Sequence, residues 1–202
     1  MNLSSFKNVL FDIDGTLFDT KQFYSNFFNE IAQRYHIQLA DVIHAKDNYF
    51  KTLKDRTDFN YQGFVIDIAH NLNLRIEDLK NFFLNEIEYM KCLYPDVVEC
   101  ISKLRTTHSL GIFSQGNKDY QMIKLAKTAI LEYFDPQLLL IYDRKLTENS
   151  LNSIPPSSFI VEDKQEVVEI LKNKEIDSIH LNRQKETDDI AQSISSLLEL
   201  DH

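Results

Sequence analysis

Asp12 and Asp14 stand two residues apart, directly after the apolar run Val9–Leu10–Phe11, and Gly15 and Thr16 follow them. In an extended strand, residues i and i+2 share a face and lie roughly 6.5 Å apart. Two carboxylates would therefore project together from the carboxyl end of a buried strand. Without a counter-charge they repel, and one tends to take up a proton. A divalent cation or a reacting phosphoryl group removes that difficulty, so the pair suggests a site. The plainer alternative is a turn that closes the strand, since Asp and Gly are frequent turn residues. A calcium loop also begins Asp-x-Asp, but it needs Gly at its sixth position and Glu at its twelfth. Here the glycine is fourth and position 23 is Phe. That reading fails.

The elements around the pair alternate. Short apolar runs predict strands at Asn8–Asp12, Leu110–Phe113, Gln137–Tyr142, Ser158–Glu162 and Ser178–Leu181, as expected for strands buried on both faces. Helical patterns separate them at Pro95–Thr106, Tyr120–Tyr133 and Lys164–Asn173, with a last one at Asp188–Leu200. Repeated strand–helix units imply an α/β fold with a doubly wound parallel sheet. Residues 20–92 differ. Thr20 suits an N-cap, and Phe23, Phe27, Ile31 and Tyr35 recur at four-residue intervals, a stripe read as helix-bundle core. Further helical stretches fall at Leu39–Leu53, Phe64–Leu72 and Ile76–Cys92, and no strand is expected among them. The expected domains are an α/β core of residues 1–19 and 93–202 and an inserted all-helical unit of residues 20–92.

Ligands of open parallel sheets bind beyond the carboxyl ends of the strands. After the first strand come Asp12 and Asp14; after the second, Ser114–Gln115–Gly116–Asn117; after the third, Asp143–Arg144–Lys145; after the fourth, Glu162 and Asp163. Acid pair, hydroxyl, cation and acid thus follow one another at one end of the sheet. Each has a plainer role: Ser114 as a helix cap, Lys145 as a solvated lysine, Glu162–Asp163 as acids at a helix start. Four glycines serve the whole chain, and Gly15 and Gly116 both follow proposed site residues.

Composition narrows the function classes. A formal net charge of -9 argues against nucleic acid or an anionic membrane as the main partner. No apolar run approaches the ~20 residues of a membrane span. The N-terminus passes straight into the first strand, with no room for a signal peptide. Cys92 and Cys100 lack CxxC spacing, so free thiols in a reducing cytoplasm are the expectation.

The segments DIDGTLFD (12–19), LYPDVVECISKLRTTHSLGIFSQGN (93–117), YFDPQLLLIYDRK (133–145) and FIVEDKQE (159–166) together resemble the haloacid dehalogenase superfamily. The resemblance is to its branch with a helical cap inserted after the first motif, and it extends over nearly the whole chain. It implies a Rossmann-like core and a Mg²⁺-dependent phosphohydrolase acting on a small phosphorylated metabolite. Asp12 would be the nucleophile and Asp14 the general acid/base. Ser114, Gln115 and Lys145 would hold phosphoryl oxygens, and Asp163 would bind Mg²⁺ with Asp12 and the backbone carbonyl of Asp14. Whether Arg144 or Lys145 is the cation, and whether Glu162, Asp163 or Glu166 meets the metal, stays open.

The chemistry fits these roles. A carboxylate is already ionised at neutral pH and attacks phosphorus without a base. Asp14 can protonate the departing alkoxide and later take a proton from water. The true dehalogenases of the superfamily resemble this chain but typically lack the second Asp, because a halide leaves without protonation. Two alternatives remain: a sugar phosphomutase, and a catalytically weak binding or regulatory protein with the same fold.

Overall fold

The computed structural model describes residues 2–184 and 193–200. In chain order these form β1 (Asn8–Phe11), α1 (Thr20–Tyr35), α2 (Leu39–Thr52), α3 (Tyr61–Asn71), α4 (Ile76–Phe83) and α5 (Glu86–Met90). Then come α6 (Val97–Leu104), β2 (Ser109–Gln115), α7 (Lys118–Lys127), β3 (Leu139–Tyr142), α8 (Glu148–Asn152) and β4 (Ser158–Glu162). The chain continues through α9 (Gln165–Asn173), β5 (Ser178–Leu181) and β6 (Ser193–Ile194).

The strands build one six-stranded sheet in the order β3-β2-β1-β4-β5-β6, with all five pairings parallel. This is the expected doubly wound α/β fold. From β1 the chain winds outward through β2 and β3, then returns to β4 on the other side. The order therefore reverses between β1 and β4, where ligands of such sheets bind. Phe11 pairs with Val161, so Asp12 and Glu162 come level with each other just beyond. The Asp12 N–H donates to the Val161 carbonyl at 3.0 Å. Leu10, Phe113, Ile160, Val167 and Leu171 form a continuous core against one face of the sheet, which fixes this register.

The chain divides into two compact units, Met1–Asp19 with Leu93–His202, and Thr20–Cys92. The second unit contains α1 to α5. Its interior is aromatic: the Phe23, Phe27 and Phe64 rings lie 5.3, 5.0 and 6.1 Å from that of Phe83. The buried stripe of α1 is Phe23, Phe27, Phe28 and Ile31, while Tyr35 is only partly buried. The stretch expected as one helix over Ile76–Cys92 is two, because the Asn85 side chain accepts from the Ile87 N–H and starts α5 afresh.

Other expectations are corrected. The helix expected to run to Tyr133 ends at Lys127, since Ala129 adopts φ 54° and the Ile130 N–H returns to the Leu125 carbonyl at 3.1 Å. That is a left-handed helix stop without the glycine that usually signals it. Of the helix expected at Asp188–Leu200, residues 188–192 lie outside the described residues, and 193–200 hold β6 and a single 3-10 turn, Leu197–Glu199. Here Glu199 Oε1 accepts from the Ser195 and Ser196 N–H groups, and Asp96 Oδ2 accepts from the Leu197 N–H. These side-chain bonds satisfy the backbone in place of a continuing helix. Helix α8, unexpected from sequence, starts on a Thr147–Ser150 capping box. No helix among the described residues is long and apolar enough to cross a membrane.

Candidate active site

Asp12 leaves the end of β1 buried, at 3% exposure. Lys145, in the loop after β3, is equally buried, and its Nζ donates to Asp12 Oδ1 at 2.7 Å and to Glu162 Oε2 at 2.5 Å. The lysine therefore bridges the two acids that the β1–β4 register brings level. Its ammonium also lies 5.9 Å from the Phe113 ring centroid. Arg144 is exposed. Of the two cations left open by sequence, Lys145 is the one at Asp12.

Carboxylate oxygens of Asp12, Glu162 and Asp163 lie within 4.8 Å of one another. Glu166 stands exposed in the first turn of α9 and is not among them. Asp163 packs against the turn after β1: a Cβ at Gly15 would lie 2.2 Å from Asp163 Oδ2, and Gly15 holds φ +88°. Asp163 Oδ1 is buried with no hydrogen-bond partner. Clustered carboxylates with one unsatisfied buried oxygen suit a hard divalent cation such as Mg²⁺, which takes oxygen ligands. Asp12, Glu162 and Asp163 could hold it.

The electrostatics agree. Burial first, then the Asp12 charge, pushes Glu162 up to about 8, against the lowering effect of Lys145. Burial and Asp12 likewise raise Asp163. Burial alone would lower Lys145, but Asp12 and Glu162 outweigh it and raise its pKa. Both acids are thus held above their ordinary range mainly by burial, with the neighbouring Asp12 charge adding to it.

Ser114 is within β2, one residue before its end, and fully buried; its Oγ has no hydrogen-bond partner. Gln115 is exposed, and its Oε1 accepts from the Lys145 N–H at 3.3 Å. It tethers the lysine-bearing loop to β2 rather than joining the acids. Gly116, at φ +139°, turns the chain from β2 into α7.

Asp14 has partners that sequence did not suggest. Gln121 Nε2 donates to Asp14 Oδ2 at 2.6 Å, and Lys124 Nζ donates to Asp14 Oδ1. Both donors sit on the buried side of α7. The available signal was a run of polar residues, Asn117, Gln121, Lys124 and Thr128, at helical spacing along the face that packs inward. Arg183, after β5, was also missed. It donates to the Thr16 carbonyl at 3.2 Å (Nε) and 2.6 Å (Nη2), pairs with Asp96 at 3.0 Å and lies 3.8 Å from the Tyr94 ring centroid. It thereby anchors the turn that carries Asp14 and Gly15.

No curated protein matches the sequence. Solved structures do match over nearly the whole chain. A magnesium-bound Bacillus subtilis protein described as the HAD-hydrolase YfnB superposes with TM-score 0.63 and 15% identity, over 96% of each chain. A HAD phosphatase from Thermococcus onnurineus gives 0.57 and 23%, over 96% of this chain and 95% of that one. L-2-haloacid dehalogenase from Xanthobacter autotrophicus gives 0.54 and 18%, over 90% and 79%. At these identities the likeness is one of fold. The family model of haloacid dehalogenase-like hydrolases matches residues 9–150, well over half of the sequence, and the chain belongs to that family.

Proposed function

We propose that this protein is a Mg²⁺-dependent phosphohydrolase that cleaves a small phosphomonoester through an aspartyl phosphate on Asp12. One observation carries the reading: a second carboxylate, Asp14, stands two residues from the buried Asp12, beside an acid cluster suited to a divalent cation. A departing alkoxide needs a proton, and Asp14 is the group to give it. A halide needs none, so a dehalogenase would have no use for that acid.

In the reaction, an Asp12 carboxylate oxygen attacks phosphorus, the ester P–O bond breaks, and Asp14 protonates the leaving oxygen. Asp14 then takes a proton from water as the water oxygen attacks phosphorus; the Asp12 O–P bond breaks, which restores the Asp12 carboxylate and releases inorganic phosphate. Lys145 fixes Asp12 Oδ1 and so the direction of the carboxylate. An ammonium carries three donors; Asp12 and Glu162 take two, and the third is assigned to a phosphoryl oxygen. Ser114 Oγ, buried and unpartnered, would donate to another. Lys145 and Lys124 are already engaged by Asp12, Glu162 and Asp14, so these two cations leave little positive charge to offset a phosphate dianion. Bound Mg²⁺ would supply the missing positive charge at the phosphoryl oxygens. The helical unit Thr20–Cys92 is proposed to serve as the cap and to select the organic part of the substrate.

The test is release of inorganic phosphate from p-nitrophenyl phosphate and a panel of phosphorylated metabolites. Turnover that needs Mg²⁺ and vanishes in Asp12→Asn supports the reading. Equal inertness of wild type and variant across the panel, or halide release from a 2-haloacid, overturns it.

A further inference from the structure

The side chain of Asp14 is gripped at both oxygens from α7, an element that follows it by more than a hundred residues. Gln121 Nε2 also donates to the Gln115 carbonyl at 3.1 Å, which locks the amide between the end of β2 and the acid. Lys124 is 2% exposed, with its ammonium 4.5 Å from the Tyr120 ring centroid and 5.6 Å from that of Phe18. Burying a lysine head is costly unless it is paired. An apolar residue would fill the same space under the helix without needing an acid. The Asp14 side chain itself is 28% exposed and could be solvated instead. Both arrangements cost something that packing alone does not require.

We propose that Lys124 and Gln121 are positioning residues for Asp14: their two-point grip sets the rotation of its carboxyl group, and so the line along which its proton meets the leaving oxygen. This rests on the phosphohydrolase reading above. In the first step Asp14 carries its proton on an oxygen lone pair that Gln121 and Lys124 leave open. The proton passes to the ester oxygen as the P–O bond breaks, and the Lys124 charge then faces the carboxylate that remains. In the second step the same grip presents that carboxylate to the attacking water, whose proton it receives. Neither residue touches the substrate.

The experiment separates aim from mere packing by the leaving group. The p-nitrophenolate ion departs with little need of a proton, whereas phenolate needs help. Lys124→Met is therefore expected to lower kcat on phenyl phosphate about 30-fold, within the ~10²-fold that misplacement of about 1 Å can cost. On p-nitrophenyl phosphate the same variant should lose about threefold or less, with KM little changed on both esters. Lys124→Arg, which keeps the charge, should recover much of the phenyl phosphate rate. Should Lys124→Met not fold, Gln121→Leu must show the same asymmetry. Equal loss on both esters, or no loss on either, overturns the positioning role while the parent reading stands. A wild-type protein that releases phosphate from no ester overturns the parent reading and this inference with it.

Discussion

Lys145 Nζ lies 2.7 Å from Asp12 Oδ1, although 133 positions separate them in the sequence, and its other acid partner, Glu162, is fully buried. The ammonium stands between two carboxylates that neighbouring strands force side by side. Removing it leaves both acids buried and unpaired. Lys145→Met is expected to destabilise the metal-free protein by about 3–5 kcal/mol, measured by urea unfolding, and to abolish turnover. Lys145→Met combined with Glu162→Leu should regain part of the stability and none of the activity.

Mg²⁺ should stabilise the folded protein through Asp12, Glu162 and Asp163. A ligand at ten times its Kd contributes about 1.4 kcal/mol, which a thermal scan with and without MgCl₂ at matched ionic strength detects as a raised Tm. Asp163→Asn should remove most of that rise. A Tm indifferent to Mg²⁺ in the wild type would contradict the assignment of these residues.

Gly15→Ala sets a methyl group 2.2 Å from Asp163 Oδ2, on a backbone at φ +88°. Strain of this kind costs about 1–3 kcal/mol, and relief requires Asp163 to move. The expected outcome is lower stability together with a weaker Mg²⁺-induced rise in Tm. Gly63→Ala, where the nearest atoms lie 3.8 Å away, is the matched control.

Asp96 links α6 to the chain end. It pairs with Arg183 and accepts from the Ser196 Oγ–H and the Leu197 N–H. Burial would raise its pKa, but these partners outweigh burial and hold it below its ordinary 3.8. A depressed folded-state pKa means stability that is fully present above the unfolded value and lost as pH falls through the folded one. Asp96→Asn should therefore cost about 2 kcal/mol at pH 7. The gap between variant and wild type should narrow as pH drops below about 4, as followed by denaturant midpoints.

The strands were legible because short apolar runs buried on both faces leave a plain signature, as in Val9–Phe11 and Phe159–Val161. Helix ends were less so. Ala129 adopts a left-handed conformation that glycine would have announced, and Asn85 interrupts a stretch whose apolar period runs on across it. At the site, Asp12, Asp14, Ser114, Lys145 and Asp163 could be proposed because each follows or closes a strand. Lys124, Gln121 and Arg183 were invisible to that logic. Their partners are far away in sequence, and the polar stripe that carries Gln121 and Lys124 along α7 does not by itself say which acid it meets.

Phe18 pairs antiparallel with Leu93, and the Tyr94 N–H donates to the Leu17 carbonyl at 3.1 Å. The chain thus departs and re-enters the sheet-bearing unit through two stitched threads lying side by side. Closing so narrow a gap asks little of any linker, and the entropic penalty of a longer one grows only slowly with length. Whatever is spliced between those threads can be shortened, enlarged or exchanged without rewiring the strands. An insertion at this point leaves the β1–β4 register, and with it the placing of Asp12 beside Glu162, untouched.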